Sequence, residues 1–515
     1  MKFPRSSGIL LHITSLPGGH GLGDLGPSAY EFADFLSESK QSLWQMLPLG
    51  PTGYGDSPYQ CFSAFAGNPM LLDMGAFVEA GLLARSDLTG SPPASTSVDF
   101  PAVQRFKWTL IERAAQNFNG HEPEEYARFC GRESYWLDDF ALFMALKDIH
   151  GGIAFWRWDR DLAMRDPETL ARWSARLTRQ IAMHRFTQWI FFQQFGKLRQ
   201  YCRDRGIRLM GDIPIYAAAD SADVWSGRRL FLLQESGEPA WQAGVPPDYF
   251  SATGQLWGNP IYDWAEMERT GYEWWIQRFR ATFQMFDAVR VDHFRGFQAY
   301  WSVPAGEVTA INGQWVPGPG GKVFEAVEKQ LGDLAILAEN LGVITPEVEA
   351  IRHRFQFPGM AILQFAFGTD PQAPDFKPHN YPRDVIAYTG THDNDTTVGW
   401  WTSSGETDST RTAAEIDSER RFTLEYLGAD GNEIHWTFIR ALMASVANTV
   451  IFPAQDLLGL GSEARMNMPS TLGRNWKWRL RPGALNHVIA ARLRRLAECY
   501  DRAPAAPPPP APTTP

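Results

Sequence analysis

Residues 287–296, DAVRVDHFRG, open as a short alternation of β-branched and charged side chains, the two-residue period of a strand. Side chains two apart share a face, so Arg290 and Asp292 point one way and Val289 and Val291 the other. A charged pair facing inward at the end of an apolar strand is costly unless it is solvated or used. The guanidinium favours the ionised carboxylate and is expected to lower its pKa, which suits a nucleophile. Taken alone, the pair reads equally well as a structural ion pair at a strand end, so the rest of the chain has to decide.

Working outward, seven more β-rich apolar runs end in polar residues: 9–14 (ILLHIT), 42–47 (SLWQML), 207–213 (IRLMGDI), 334–340 (LAILAEN), 360–365 (MAILQF), 385–393 (VIAYTGTHD) and 449–456 (TVIFPAQD). With residues 288–293 they make eight. Helical patterns such as 273–286 and 345–354 lie between most of them. Alternating strands and helices predict parallel βαβ units, and eight strands predict an α/β fold of the (β/α)8 TIM-barrel class with large inserted subdomains. Barrel enzymes place their chemistry at the carboxyl ends of the strands, where the polar residues of these runs cluster. The expected organisation is one barrel domain over residues 1–500. A mainly helical insertion falls at about 51–206, with helical patterns at 136–149 and 187–205, and a loop-rich insertion rich in Gly, Pro, Trp and Tyr falls at about 216–270. Residues 501–515 form a Pro/Ala-rich tail expected to be disordered.

Composition narrows the partners. The net charge of −10 over 515 residues argues against a nucleic-acid backbone or an anionic membrane as partner. The early apolar run is short, carries His12 and reads as a strand, not as a signal peptide. No stretch approaches a membrane span. Four cysteines are scattered with no CxxC, which suits reduced thiols, and the expected location is the cytoplasm. The GPGGK stretch at 318–322 lacks the spacing of a phosphate loop, DNDTTVG at 393–399 lacks that of a calcium-binding hand, and the histidines show no metal-ligand pairing.

Three carboxylates stand out beside Asp292: Glu339 at the end of LAILAEN, Asp393 in GTHDND and Asp212 in GDIPIY. Each has an ordinary reading: a helix cap for Glu339, an Asx turn with Asp395 for Asp393, a turn before Ile-Pro for Asp212. Together, at strand ends of one barrel, they point to glycosidic-bond chemistry with retention, which needs one ionised and one protonated carboxyl roughly 5–5.5 Å apart. Asp292 and Glu339 on neighbouring strands meet that need, with Arg290 holding Asp292 charged and the nearby negative charge raising Glu339. The aromatic loops agree. GVPPDYFSATGQLWGNPIYDW at 244–264 supplies Tyr249 and Trp257 as platforms, and GYGDSPYQ at 53–60 supplies Tyr54, Ser57, Tyr59 and Gln60. Sugars present apolar faces and hydroxyl edges, so rings beside amides and carboxylates form a suitable cleft.

The chain also resembles a known family, the 4-α-glucanotransferases called amylomaltases or disproportionating enzymes, glycoside hydrolase family 77. The likeness runs from LLHITSLPGGHGLGDLG to ARMNMPSTLGRNWKWR and includes PLGPTGYGDSPYQCFSAFAGNP, GDIPIY, VRVDHFRG, AENLG and THDND. It implies a barrel without a separate carboxy-terminal β-domain and a retaining double displacement with no cofactor and no metal. It also implies Asp292 as nucleophile, Glu339 as acid/base, and Asp393 as the carboxylate that holds sugar hydroxyls. Arg290 then orients the nucleophile, and His392 and Asp212 line the same subsite. Tyr59, Ser57, Trp257, Asp248 and Asn467 are expected in substrate binding, and Tyr54 is similar to a ring of a second glucan groove. The expected partners are malto-oligosaccharides, amylose or starch-type α-1,4-glucans, and glucose as acceptor, with the protein a monomer or homodimer. An α-1,4-glucan hydrolase on the same carboxylates is the nearest alternative, and an inactive glucan-binding barrel is another.

Overall fold

The structure, a computed structural model, describes residues 2–118, 122–247, 251, 253–405 and 412–504. Asp248, Tyr249 and tail residues 505–515 lie outside the described residues. All eight expected runs form strands of one parallel sheet: β1 (Ser6–Leu10), β2 (Leu43–Gln45), β3 (Arg208–Ile213), β4 (Ala288–Val291), β5 (Ile336–Ala338), β6 (Gly359–Ile362), β7 (Val385–Tyr388) and β8 (Thr449–Pro453). Their order, β6-β7-β8-β1-β2-β3-β4-β5, wraps the sheet until its two ends meet, giving the (β/α)8 barrel.

The strands end earlier than the apolar runs do. β7 stops at Tyr388 and β8 at Pro453, because the residues beyond them leave the ladder for side-chain bonds. Thr389 Oγ1 donates to Asp456 Oδ2 at 2.5 Å, and Thr397 gives the same carboxylate its backbone N–H and its hydroxyl.

Closure between β5 and β6 is made largely by one side chain. A single backbone bond, Ala338 N–H to Pro358 carbonyl (3.0 Å), crosses the seam. Asn340 then extends the ladder: its Oδ1 accepts from Met360 N–H (2.8 Å) while its Nδ2 donates to Glu349 (2.9 Å). Gly359 is needed opposite it, since a Cβ there would meet the Asn340 amide at 2.8 Å.

Between β2 and β3 the chain passes through helices that include Phe100–Phe118, Glu124–Ile149 and Thr178–Asp204. The last is 27 residues long and does two jobs. Up to its middle it packs on the Glu124–Ile149 helix, with Phe192 against Phe129 (5.7 Å) and Trp136 (6.1 Å). Its second half covers the barrel, with Phe195 against Phe286 (5.6 Å) and Arg199 and Arg203 both on Asp287. That carboxylate also accepts Leu209 N–H at 3.0 Å, so the first residue of DAVRVDHFRG fastens β4 to β3 and to the helix.

The stretch read as a loop-rich insertion at about 216–270 contains two strands, Trp241–Val245 and Gln255–Pro260. They join Ala299–Pro304 and Gln314–Pro317 in an antiparallel sheet. Most of their residues are half-exposed, so the in–out alternation that marks a strand in sequence is missing. Among the described residues no helix is long and apolar enough to cross a membrane.

The seam predicts a stability test. Asn340→Ala leaves Met360 N–H unpaired at the barrel closure and is expected to cost about 1–3 kcal/mol, read as a lower urea midpoint at unchanged slope. An unchanged midpoint would show that the backbone alone closes the barrel.

Candidate active site

The carboxyl ends of β3, β4 and β5 lie in register. Asp212 pairs with Arg290 and Val291 with Ala338, which sets Asp292 and Glu339 side by side one residue beyond the last pair. Gly211 lets β3 sit this close to its cover, because a Cβ there would strike the Phe286 ring at 2.4 Å. Neighbouring strands run about 4.8 Å apart, the scale of the roughly 5–5.5 Å separation required for retention.

Arg290 stands at the centre. Nη1 donates to Asp212 Oδ2 and Nη2 to Asp292 Oδ1, each at 2.5 Å, and only 5% of its side chain is exposed. Burial opposes its charge, but Asp212 and then Asp292 outweigh burial and hold it well above its ordinary pKa. Tyr59 OH donates to the same Asp212 oxygen at 2.8 Å. Burial and then Asp212 keep that phenol protonated.

Beyond Val291 the chain turns sharply. His293 adopts the left-handed conformation (φ 48°, ψ 48°), which aims its N–H at Glu339 Oε2 (2.7 Å). Leu341 N–H binds the other oxygen at 2.8 Å, and the next amide of the turn, Phe294 N–H, binds the Glu339 carbonyl at 3.1 Å. The helix-cap reading of Glu339 therefore fails, since both carboxylate oxygens are placed by the turn and by its own loop. Burial raises the Glu339 carboxyl, against Arg290 and these two N–H groups.

The expectation for Asp292 needs correction. Arg290 does pull its pKa down, but burial acts more strongly, and Asp212, Glu339 and Asp393 add to it, so the carboxyl rises to about 8. Sequence showed the partner; it could not show that four acids surround one buried cation. With 28% of its side chain exposed, Asp292 keeps some access to water, and Arg290 touches it directly, so of the two carboxyls it is better placed for the charge. Burial raises both the Asp292 and the Glu339 carboxyl, so the two hold protons more readily than free carboxylates do.

The loop after β7 supplies the opposite wall. His392 stacks on Tyr59 (5.3 Å, 11°), and its Nε2 lies 3.3 Å from Asp393 Oδ2. Burial lowers its pKa and keeps it neutral. Asn467 Nδ2 donates to Asp393 Oδ1 at 2.6 Å and Asn467 N–H to the His392 carbonyl at 3.0 Å. The Asx-like turn belongs to Asn394, whose Oδ1 accepts from Thr391 N–H at 2.9 Å, and this leaves Asp393 41% exposed toward the cleft.

The remaining expected residues divide. Trp257 sets its ring edge-on to His293 (4.9 Å, 88°), and its carbonyl accepts from Gln60 (3.3 Å). Ser57 Oγ accepts Tyr59 N–H at 3.2 Å, so within the chain it shapes the turn that presents Tyr59. Tyr54 is 73% exposed and shares none of the contacts that join the carboxylates. Asp248 lies outside the described residues.

Two residues were missed. Arg465 donates to the Asp393 carbonyl (2.8 Å) and to the Asn467 carbonyl (2.9 Å), tying both loops; it stands in ARMNMPSTLGRNWKWR, where only Asn467 was singled out. Asp456 is a strand-end acid like the others, and that same signal would have flagged it. It is 1% exposed, and its oxygens are taken by Thr389 and Thr397, so it holds the two ends of the His392–Asp393 loop.

With this geometry established, comparison with known proteins is direct. Residues 11–486 match the 4-alpha-glucanotransferase family, glycoside hydrolase family 77. The chain is 50% identical over 507 residues to a 4-alpha-glucanotransferase of Synechocystis sp., covering 97% of this chain and 98% of that one. It is 48% identical over 514 residues to a 4-alpha-glucanotransferase of Thermus thermophilus, covering 98% and 100%. Amylomaltase from Streptococcus agalactiae, solved in complex with acarbose, superposes with a TM-score of 0.92 at 39% identity, covering 97% of this chain and 100% of that one.

The electrostatics can be tested without substrate. The protein should keep a protonated-carboxyl infrared band at pH 7 that is lost as pH rises through about 8. The double variant Asp292→Asn, Glu339→Gln should lack that band. No difference between the two spectra would contradict the raised carboxyls.

Proposed function

Because the chain belongs to glycoside hydrolase family 77, the 4-alpha-glucanotransferases, we propose that Asp292 is the nucleophile and Glu339 the acid/base of a retaining transfer between α-1,4-glucans. The observation that carries this reading is the register that sets the two carboxyls side by side at the ends of β4 and β5, with Arg290 on Asp292. In the first half, Asp292 attacks the anomeric carbon while Glu339 gives its proton to the glycosidic oxygen, and the reducing-end sugar leaves. In the second half, Glu339, now ionised, takes the proton of an incoming 4-hydroxyl, whose oxygen attacks the same carbon and frees Asp292.

Arg290 keeps the charge of the pair on Asp292, and Asp212 keeps Arg290 in place. Asp393, anchored by Asn467 yet open to the cleft, takes hydroxyls of the donor sugar, with His392, neutral and flat on Tyr59, beside it. Trp257 offers an apolar face, and Ser57, Asp248 and Tyr54 serve the glucan further along. The substrates are malto-oligosaccharides, amylose or starch-type glucans, with glucose as the smallest acceptor. Acarbose, bound by the S. agalactiae enzyme, belongs in the same cleft. All four cysteines are free thiols, which supports a reducing compartment such as the cytoplasm.

Incubation with pure maltotriose tests the reaction. Glucose together with a ladder of longer maltodextrins is expected; glucose and maltose alone would mean that water takes the donor. Asp292→Asn should fold but lose most turnover. With azide as acceptor, which needs no general base, Glu339→Gln should lose about 10²–10⁴-fold on maltotriose and much less on a maltosyl fluoride, whose leaving group needs no proton. Equal losses on both donors would remove Glu339 from the acid role.

A further inference from the structure

Arg295, in the same DAVRVDHFRG stretch, has no part in the scheme above, yet its placement is costly. It is 7% exposed, no carboxylate among the described residues lies within salt-bridge reach, and its Nε has no partner. Its guanidinium makes two contacts across the mouth. Nη1 donates to the Val343 carbonyl at 2.5 Å, and the planar group lies 3.8 Å over the indole of Trp315. Val343 follows Glu339 by four residues, and Trp315 lies in the edge strand Gln314–Pro317 of the small sheet. The indole is held a second time by its cross-strand partner Trp301 (5.2 Å, 67°), whose Nε1 donates to the Ala310 carbonyl.

A tryptophan clamped by a guanidinium on one face and by a second indole at its side normally serves to cover something. Trp315 nonetheless remains 39% exposed, and Val343, whose carbonyl takes the same guanidinium, is 62% exposed. The structure thus fixes an exposed aromatic ring on the small sheet and ties it, through Arg295, to the backbone of the loop that follows Glu339. The chemistry fixes which side of the cleft this is. The acid protonates the leaving oxygen, so the lip beyond Glu339 faces the departing glucan and, in the second half, the incoming one. The wall of Tyr59, His392 and Asp393 faces the donor sugar instead.

We propose that Trp315, with Val343 and held by Arg295, is an acceptor-side platform that stacks on the apolar face of a glucan ring beyond the first acceptor sugar. The reading rests on the assignment of Glu339 as acid/base. An immobile aromatic face binds a sugar ring at little cost in side-chain freedom. The contact therefore favours acceptors of two or more rings over glucose, and so biases transfer toward chain extension.

The test uses the full-length enzyme with a maltosyl fluoride donor and glucose, maltose or maltotriose as acceptor. In Trp315→Ala the KM for maltose and maltotriose should rise about tenfold, the KM for glucose should change less than about twofold, and Trp315→Phe should restore the longer acceptors. Trp315→Leu keeps apolar bulk under Arg295 and gives the same answer as alanine should the alanine variant fold poorly. Equal KM changes for glucose and maltotriose, or a fall in kcat with all acceptor KM values unchanged, would overturn the platform, since lost packing does not count acceptor rings. Wild-type enzyme that only hydrolyses the fluoride, whatever the acceptor, would instead overturn the transferase reading.

Discussion

One buried guanidinium organises the mouth of this barrel. Arg290 holds Asp212 and Asp292 at 2.5 Å each, and Tyr59 reaches Asp212 from the other side. A buried cation with two carboxylates is stable only if its geometry is close to ideal, and the β3–β4 register that pairs Asp212 with Arg290 supplies that geometry. Glu339 and Asp393 then add acids that no second buried cation among the described residues pairs with. Burial raises the Asp292 and Glu339 carboxyls, and the direct contact with Arg290 favours the charge on Asp292. The division between a charged and a protonated carboxyl thus follows from burial and the position of one arginine.

The loops beyond the strands are held as firmly as the strands. Asp456 pins both ends of the loop that carries His392 and Asp393, and Arg465 ties that loop to Asn467. The left-handed His293 brings one amide onto the Glu339 carboxylate and the next onto its carbonyl. Asp456 and Asp292 show how a strand-end acid is spent. Asp456 is enclosed, its oxygens taken by Thr389 and Thr397, while Asp292 keeps 28% of its side chain open to the cleft. Openness with a strong partner marks a reactive group; saturation marks a brace.

The barrel was legible because each strand is a run of buried residues with a polar end, and the strands of DAVRVDHFRG and LAILAEN needed no more than that. Carboxylates at those ends were legible for the same reason. The protonation state of Asp292 was not, because it depends on acids brought from β3, β5 and the loop after β7, which are scattered through the sequence. The small sheet escaped because Trp241–Val245 and Gln255–Pro260 bury no regular face. Asn340, in sequence only the polar end of LAILAEN, is the seam of the barrel, a role visible only once β6 lies beside it.

The central claim is that the donor glucan is carried covalently on Asp292. It is tested most directly by trapping the intermediate with a fluorinated maltosyl donor, in which the fluorine slows the second half, followed by peptide mass spectrometry. The account predicts a single added glycosyl mass on the Asp292 side chain. A label on Asp393, Asp212 or Glu339, or turnover with no covalent adduct under any trapping condition, would contradict it.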